Sequence, residues 1–171
     1  DVIVMNPPFG ASSENSKDYI DFNFPLSKMD LASIFIDRMM SLTDESGLVG
    51  CISTRTIFYL GSFEKWRLQN VLPHYGLRIF ADFGLGVLDA LVETASYILS
   101  NAKVKSFANF YRLLNSMNKE SDLYKATKND LIEDSFSVDP DLFKHISNTP
   151  FCYWVDNNTL DLFKSEKKFL A

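Results

Sequence analysis

An α/β domain built on a mostly parallel sheet is the fold class this chain predicts. Three observations carry it. Val2–Met5 is a short apolar run, rich in β-branched residues, that stops at Pro7-Pro8. From Asp30 onward apolar residues recur with helical spacing until Gly47. Residues 48–52 (Leu-Val-Gly-Cys-Ile) then form a second apolar run. Strand, helix and strand at this spacing give two parallel strands joined by a helical crossover.

The elements follow in order. Val2–Met5 reads as a strand buried on both faces, and the prolines forbid its continuation. Residues 11–28 are polar and without periodicity, which predicts a surface loop. Asp30 is placed to cap a helix whose inner face is Leu31, Ile34, Phe35, Met39 and Leu42. A further helix over 62–72 ends at Pro73, and residues 77–83 form a third strand that runs into the turn Gly84-Leu85-Gly86. Residues 92–99 and 106–114 are two more strand candidates. They stand too close together for helical crossovers, which predicts an antiparallel strand at or near the edge. Residues 115–135 are rich in Lys, Asp and Ser and read as a linker or excursion. Aromatic residues return over 136–171, and this tail is expected to pack on the sheet or to begin a second domain.

Length and composition set the outer limits. The 171 residues suffice for one domain with a modest appendage. An apolar fraction of 46%, with fifteen Phe and seven Tyr, rules out an intrinsically disordered or low-complexity chain. No apolar run approaches the roughly 18 residues that a membrane helix needs. The net charge of −5 excludes nucleic-acid binding by bulk charge, so any such binding must be local. Cys51 and Cys152 sit inside apolar runs and read as buried thiols. Without a signal peptide, the expected compartment is the cytoplasm.

Chemistry concentrates in residues 6–10, Asn6-Pro7-Pro8-Phe9-Gly10. Sites in parallel α/β sheets form at the carboxyl ends of strands, where Asn6 falls. Two prolines hold the backbone rigid and extended. An exocyclic NH2 group presents two hydrogens, and the Asn6 Oδ1 and the Pro7 carbonyl can accept one each. This favours a nitrogen whose lone pair leaves the ring plane toward an electrophile. Phe9 offers a flat face on which an extruded base can stack.

Asn6-Pro7-Pro8-Phe9 resembles the catalytic motif of S-adenosylmethionine-dependent amino-methyltransferases, specifically the adenine-N6 DNA methyltransferases. The resemblance implies S-adenosyl-L-methionine as cofactor, a flipped adenine in duplex DNA as substrate, and direct methyl transfer without a covalent enzyme intermediate. Asn6, Pro7, Pro8 and Phe9 are then the catalytic residues. Residues 58–67 (Phe-Tyr-Leu-Gly-Ser-Phe-Glu-Lys-Trp-Arg), 92–99, and the segment from Phe143 through Pro150-Phe-Cys-Tyr-Trp-Val resemble the large methyltransferases of BREX and Pgl phage-defence systems and fused restriction–modification enzymes. Those proteins tend to carry Tyr where Phe9 stands, and either ring stacks. Other subunits of a restriction or phage-defence system are implied as partners.

The family places its cofactor glycine loop ahead of the catalytic strand, and Asp1 leads straight into that strand. The implied fold is therefore the C-terminal half of a Rossmann-like class I methyltransferase sheet with an aromatic-rich C-terminal extension. Residues 1–114 are expected to be part of the catalytic domain from its fourth strand onward, 115–135 a linker, and 136–171 the start of an extension toward a target-recognition region. Such a piece is not expected to bind the cofactor usefully alone.

Other candidates are weaker. Gly84 and Gly86 invite a reading as the cofactor loop, but no acidic residue stands over 100–110, where one is expected for the ribose, and a turn between strands explains them better. Arg55 follows the second strand and is a candidate contact to a DNA phosphate. His74 and His145 lack ligands at metal-binding spacing, and Ser53, His74 and Asp82 lack the nucleophile elbow of a hydrolase. Lys164, Lys167 and Lys168 beside Glu166 read as a solvated helix face. Two readings stand beside DNA methylation: methylation of another planar amine or amide (an RNA guanine, a protein glutamine), and a non-catalytic module that only recognises DNA.

Overall fold

A computed structural model describes residues 1–88, 91–102, 107–128 and 133–166, without the side chains of 165 and 166. Six strands form one sheet in the order β1-β2-β4-β3-β5-β6: β1 (Val2–Met5), β2 (Leu48–Thr54), β3 (Gly76–Gly84), β4 (Thr94–Ser100), β5 (Ala108–Arg112) and β6 (Ser135–Val138). β1 pairs in parallel with β2, and β3 with β5; β4 and β6 run against the others. The predicted strands are all present. Of the strands expected to give an antiparallel pairing at or near the edge, β4 is antiparallel but lies inside the sheet, because it folds back from β3 and inserts between it and β2. Between them, β3 and β5 remain parallel, and the edge position falls to β6.

Helix α2 (Leu31–Leu42) is capped by Asp30 as expected. Its buried residues are Ala32, Ser33, Ile34, Ile36 and Met40, whereas Phe35 and Leu42 are exposed. The inner stripe is thus rotated from the predicted one. The cause is Asp37, which accepts hydrogen bonds from Trp66 Nε1, Asn70 Nδ2 and Tyr75 Oη and so turns inward toward the next helical stretch. That stretch runs from Gly61 to His74: a 3-10 turn (Gly61–Phe63), α3 (Glu64–Trp66), a π turn (Arg67–Val71) and α4 (Leu72–His74), which contains Pro73.

Two segments carry more structure than their composition suggests. Within 11–28 lies α1 (Lys17–Asn23), whose one buried residue is Ile20. Within 115–135 lies α5 (Lys119–Thr127), which lays Leu123 and Ala126 on Ala81, Phe83 and Tyr111. Of the tail's two expected fates, the described residues follow the first: β6 joins the sheet, and Phe143, Phe151 and Tyr153 enter the main core. That core is aromatic. Phe58 meets Phe80, Tyr97 and Phe151 at 5.1, 4.8 and 5.1 Å, and Phe110 stacks on Tyr153 at 4.8 Å. A last helix, α6 (Asn157–Glu166), buries Leu160.

The two faces of the sheet differ. One packs against the main core, with Ile3, Met5 and Phe136 of its edge strands half-buried. The other is covered by α5 over β3 and β5 but open over β1, where Val2 is 67% and Val4 81% exposed. The expectation that β1 is buried on both faces is not met: Ile3 and Met5 are half-buried against the core on one face, and among the described residues no helix covers the other.

Candidate active site

The β1–β2 ladder ends at Met5 opposite Cys51, which delivers Asn6 to the carboxyl end of the sheet. Asn6 is exposed and Pro7 buried, so the first proline anchors the backbone while the amide side chain stays free. Phe9 is half-buried. Gly10 then turns the chain with φ +104°, a conformation that side-chain-bearing residues avoid. Its N–H donates to Asp30 Oδ2 at 3.0 Å, and its carbonyl accepts from Leu31 N at 2.8 Å. The other oxygen of Asp30 accepts from Ala32 N at 2.8 Å. One carboxylate therefore caps α2 and holds the end of the motif loop. Its partial burial raises its pKa, against the pull of the two backbone N–H groups.

The same end of the sheet carries a second polar cluster around Asp82, near the end of β3. Asp82 is fully buried. Its Oδ2 accepts from Tyr59 Oη at 3.0 Å and Tyr153 Oη at 2.8 Å, and Arg55 Nε lies 2.8 Å from Oδ1 in a close ion pair. Burial pushes the Asp82 carboxyl up, while Arg55 and the two phenols pull it down; the net shift is upward. Both phenols are held well above their usual range, by burial first and by the carboxylate they bond. Tyr59 stacks on Trp154, and the Arg112 guanidinium lies 5.3 Å from the Trp154 ring centre. A buried carboxylate locked by three partners is a brace rather than an acid or base.

Arg55 belongs to this brace. Its side chain is 13% exposed, paired with Asp82 and, at 3.4 Å, with Glu93, and its guanidinium carbon lies 4.5 Å from the Tyr59 ring centre. The phosphate contact expected of it meets a guanidinium already engaged. Gly84 (φ +65°) and Gly86 (φ +85°) form the turn that leaves β3 toward β4. A Cβ on Gly84 would come within 3.0 Å of Leu114 Cδ2, so packing and backbone geometry account for the glycine.

Other sequence candidates are dispersed. Ser53 bonds Tyr97 Oη at 2.7 Å, and His74 is exposed at a helix end, so the triad with Asp82 does not assemble. No cluster able to hold a metal exists among the described residues. Lys164 pairs with Asp161; Lys167 and Lys168, like the Glu166 side chain, lie outside the described residues.

Sequence reasoning missed the roles of Asp82, Tyr59 and Tyr153, and that of Arg67. Arg67 is fully buried and donates to the carbonyls of Ile57, Leu60, Asn148 and Thr149, and burial lowers its pKa to about 10. The one sequence signal is at Asp82, a charged residue inside the apolar run 79–83; Arg67 stands in a stretch rich in polar residues and gives none.

The profile of Eco57I restriction-modification methylases matches residues 1–87. The adenine-specific methyltransferase PglX of Lacticaseibacillus casei (strain Zhang) is 25% identical over 95% of this chain and 14% of its own length. The adenine-specific methyltransferase BrxX of Escherichia coli O9:H4 (strain HS) is 28% identical over 90% of this chain and 13% of its own length. The chain thus spans about one seventh of these curated relatives. The DNA-bound ATP-dependent type ISP restriction-modification enzyme LlaBIII shares the fold at TM-score 0.65 and 14% identity, over 92% of this chain and 13% of that one. A putative class I S-adenosylmethionine-dependent methyltransferase from Listeria monocytogenes shares the fold at TM-score 0.54 and 14% identity, over 75% of this chain and 41% of that one. Because the matched half begins at the motif strand itself and runs through β3, the chain belongs to the Eco57I restriction-modification methylase family.

Proposed function

We propose that the protein containing this chain is a site-specific DNA methyltransferase that places a methyl group on N6 of an adenine flipped out of the duplex, in restriction–modification or phage defence. One observation carries the reading: Asn6 stands exposed at the carboxyl end of β1, between the last paired residue of the strand and a rigid Pro-Pro step, with Phe9 in the same loop. Among the described residues no side-chain partner engages the Asn6 amide, so its oxygen is available to a substrate amine. Asn6 Oδ1 and the Pro7 carbonyl orient the two amino hydrogens, and Phe9 stacks the base. Family membership and the adenine-specific relatives support adenine, and the DNA-bound neighbour supports DNA.

S-adenosylmethionine supplies an electrophilic methyl group in such a reaction. The described residues do not fit a cradle for it: Gly84 and Gly86 lead into an antiparallel strand rather than a helix N-terminus. We place its glycine loop outside this chain, with residues 1–114 as part of the catalytic domain and residues beyond 136 leading toward a target-recognition region. Partner subunits of a defence system fit the same reading.

The test is methyl transfer by the full-length protein to adenine-containing duplex, RNA and protein, with N6-methyladenine read by mass spectrometry. Methylated DNA in the wild type and none with Asn6→Ala supports the proposal. Undiminished activity in Asn6→Ala, or transfer only to RNA or protein, overturns it. DNA binding with no transfer to any substrate leaves the non-catalytic module as the reading.

A further inference from the structure

We propose that Asp30 is a positioning residue that sets where Phe9 stands relative to Asn6, by fastening the far end of the motif loop to the start of α2. The proposal deepens the reading of residues 6–9 as a catalytic motif and rests on it. The loop is rigid at its near end, where Pro7 is buried and the strand ladder closes at Met5. Its far end has no ladder. There Gly10 has both backbone polar groups committed to the beginning of α2: its N–H to Asp30 Oδ2 and its carbonyl to Leu31 N. An N-cap needs one side-chain oxygen, and Asp30 uses Oδ1 for that. The second oxygen has no capping task and is spent on the loop. Ser, Thr or Asn caps a helix equally well, but none of them has two acceptor oxygens that can serve a cap and a clamp together. The requirement for a carboxylate at position 30 therefore comes from the loop.

The anchor itself is firm. α2 is fixed to the core by Ile36 and Met40 and, through Asp37, to Trp66, Asn70 and Tyr75. Movement of the far end relative to α2 displaces Phe9, the ring proposed to hold the base against Asn6, and misplacement of a reacting pair by about 1 Å can cost about 100-fold in rate.

Two readouts separate this proposal from the reading beneath it. The first is amide hydrogen exchange of the full-length protein without substrate. The Gly10 N–H is expected to be protected in the wild type and to exchange at least about 10-fold faster in Asp30→Asn and Asp30→Ser, both of which keep a cap. Equal exchange in wild type and variants overturns the clamp whatever the enzyme does. The second is kinetic. Both variants are expected to lower kcat about 10- to 100-fold with KM for DNA and cofactor affinity within about two-fold. Asp139→Ala, which removes the cap of a 3-10 turn far along the chain, is expected to lower Tm comparably and leave kcat unchanged. A kcat within about two-fold of wild type in both Asp30 variants overturns the positioning role. Absence of transfer in the wild type instead overturns the motif reading, and the exchange experiment still judges the clamp.

Discussion

The carboxyl end of the sheet holds two polar sites of opposite character. Around Asp82 everything is closed: the carboxylate is fully buried and gripped by Tyr59, Tyr153 and Arg55. Around Asn6 everything is open: the side chain is exposed, the strand beneath it is half-covered, and rigidity comes from two prolines, one glycine turn and one carboxylate. The first site has several partners and a carboxylate shut off from solvent; the second has few partners and a free acceptor. Stability is built at the one; the other presents the acceptor on which the proposed function depends. A perturbed pKa alone would select Asp82, yet burial shifts that carboxyl and its phenols without giving them access to a substrate.

Substitutions test this division. The largest effect is expected in the closed region, where Phe58→Ala removes the ring that joins Trp66, Phe80, Tyr97 and Phe151. Denaturant unfolding should show a loss of about 3–5 kcal/mol. Next, Asn6→Ala should reduce kcat by about 100-fold or more, as loss of one transition-state hydrogen bond does. Its Tm should barely move, because exposed substitutions stay within about 0.5 kcal/mol. A large Tm loss there would erase the contrast. Tyr153→Phe should cost about 1.5–3 kcal/mol, the range for a hydrogen bond to a charged acceptor, with kcat per folded molecule unchanged.

The smallest effect is in pH. Burial raises the carboxyl pKa of Asp82 and of Asp37 above the ordinary value of 3.8. A group whose folded pKa is raised binds its proton more tightly when folded, so its contribution to stability falls as pH rises from about 4 through the folded value. Tm measured across that window should lose part of this downward slope in Asp82→Asn, while Asn6→Ala keeps it. An unchanged slope in Asp82→Asn would break the assignment.

What the sequence disclosed follows from how local the causes are. β1, the Pro-Pro stop, α2 and the Asp30 cap rest on neighbours within a few residues, and all were legible. α1 and α5 were not, because each buries so little, Ile20 in one and Leu123 with Ala126 in the other, that no apolar period shows. The brace at Asp82 was hidden for another reason: Tyr59 and Tyr153 stand 23 and 71 positions away. The second task of Asp30 was hidden likewise, since Gly10 is 20 positions away. Inward-turned Asp37 explains the rotated face of α2, and apolar spacing alone carries no sign of it.

Gly10 has one more consequence. A Cβ built there meets no heavy atom of the described residues within 4 Å, yet its φ of +104° excludes ordinary side chains. The position is closed by handedness and not by lack of room. A mirror-image residue such as D-alanine, introduced by semisynthesis, is expected to fit the turn and stiffen it by narrowing the unfolded ensemble, whereas L-alanine in the same space should strain it. Chirality, rather than volume, is what reserves this place in the loop for glycine.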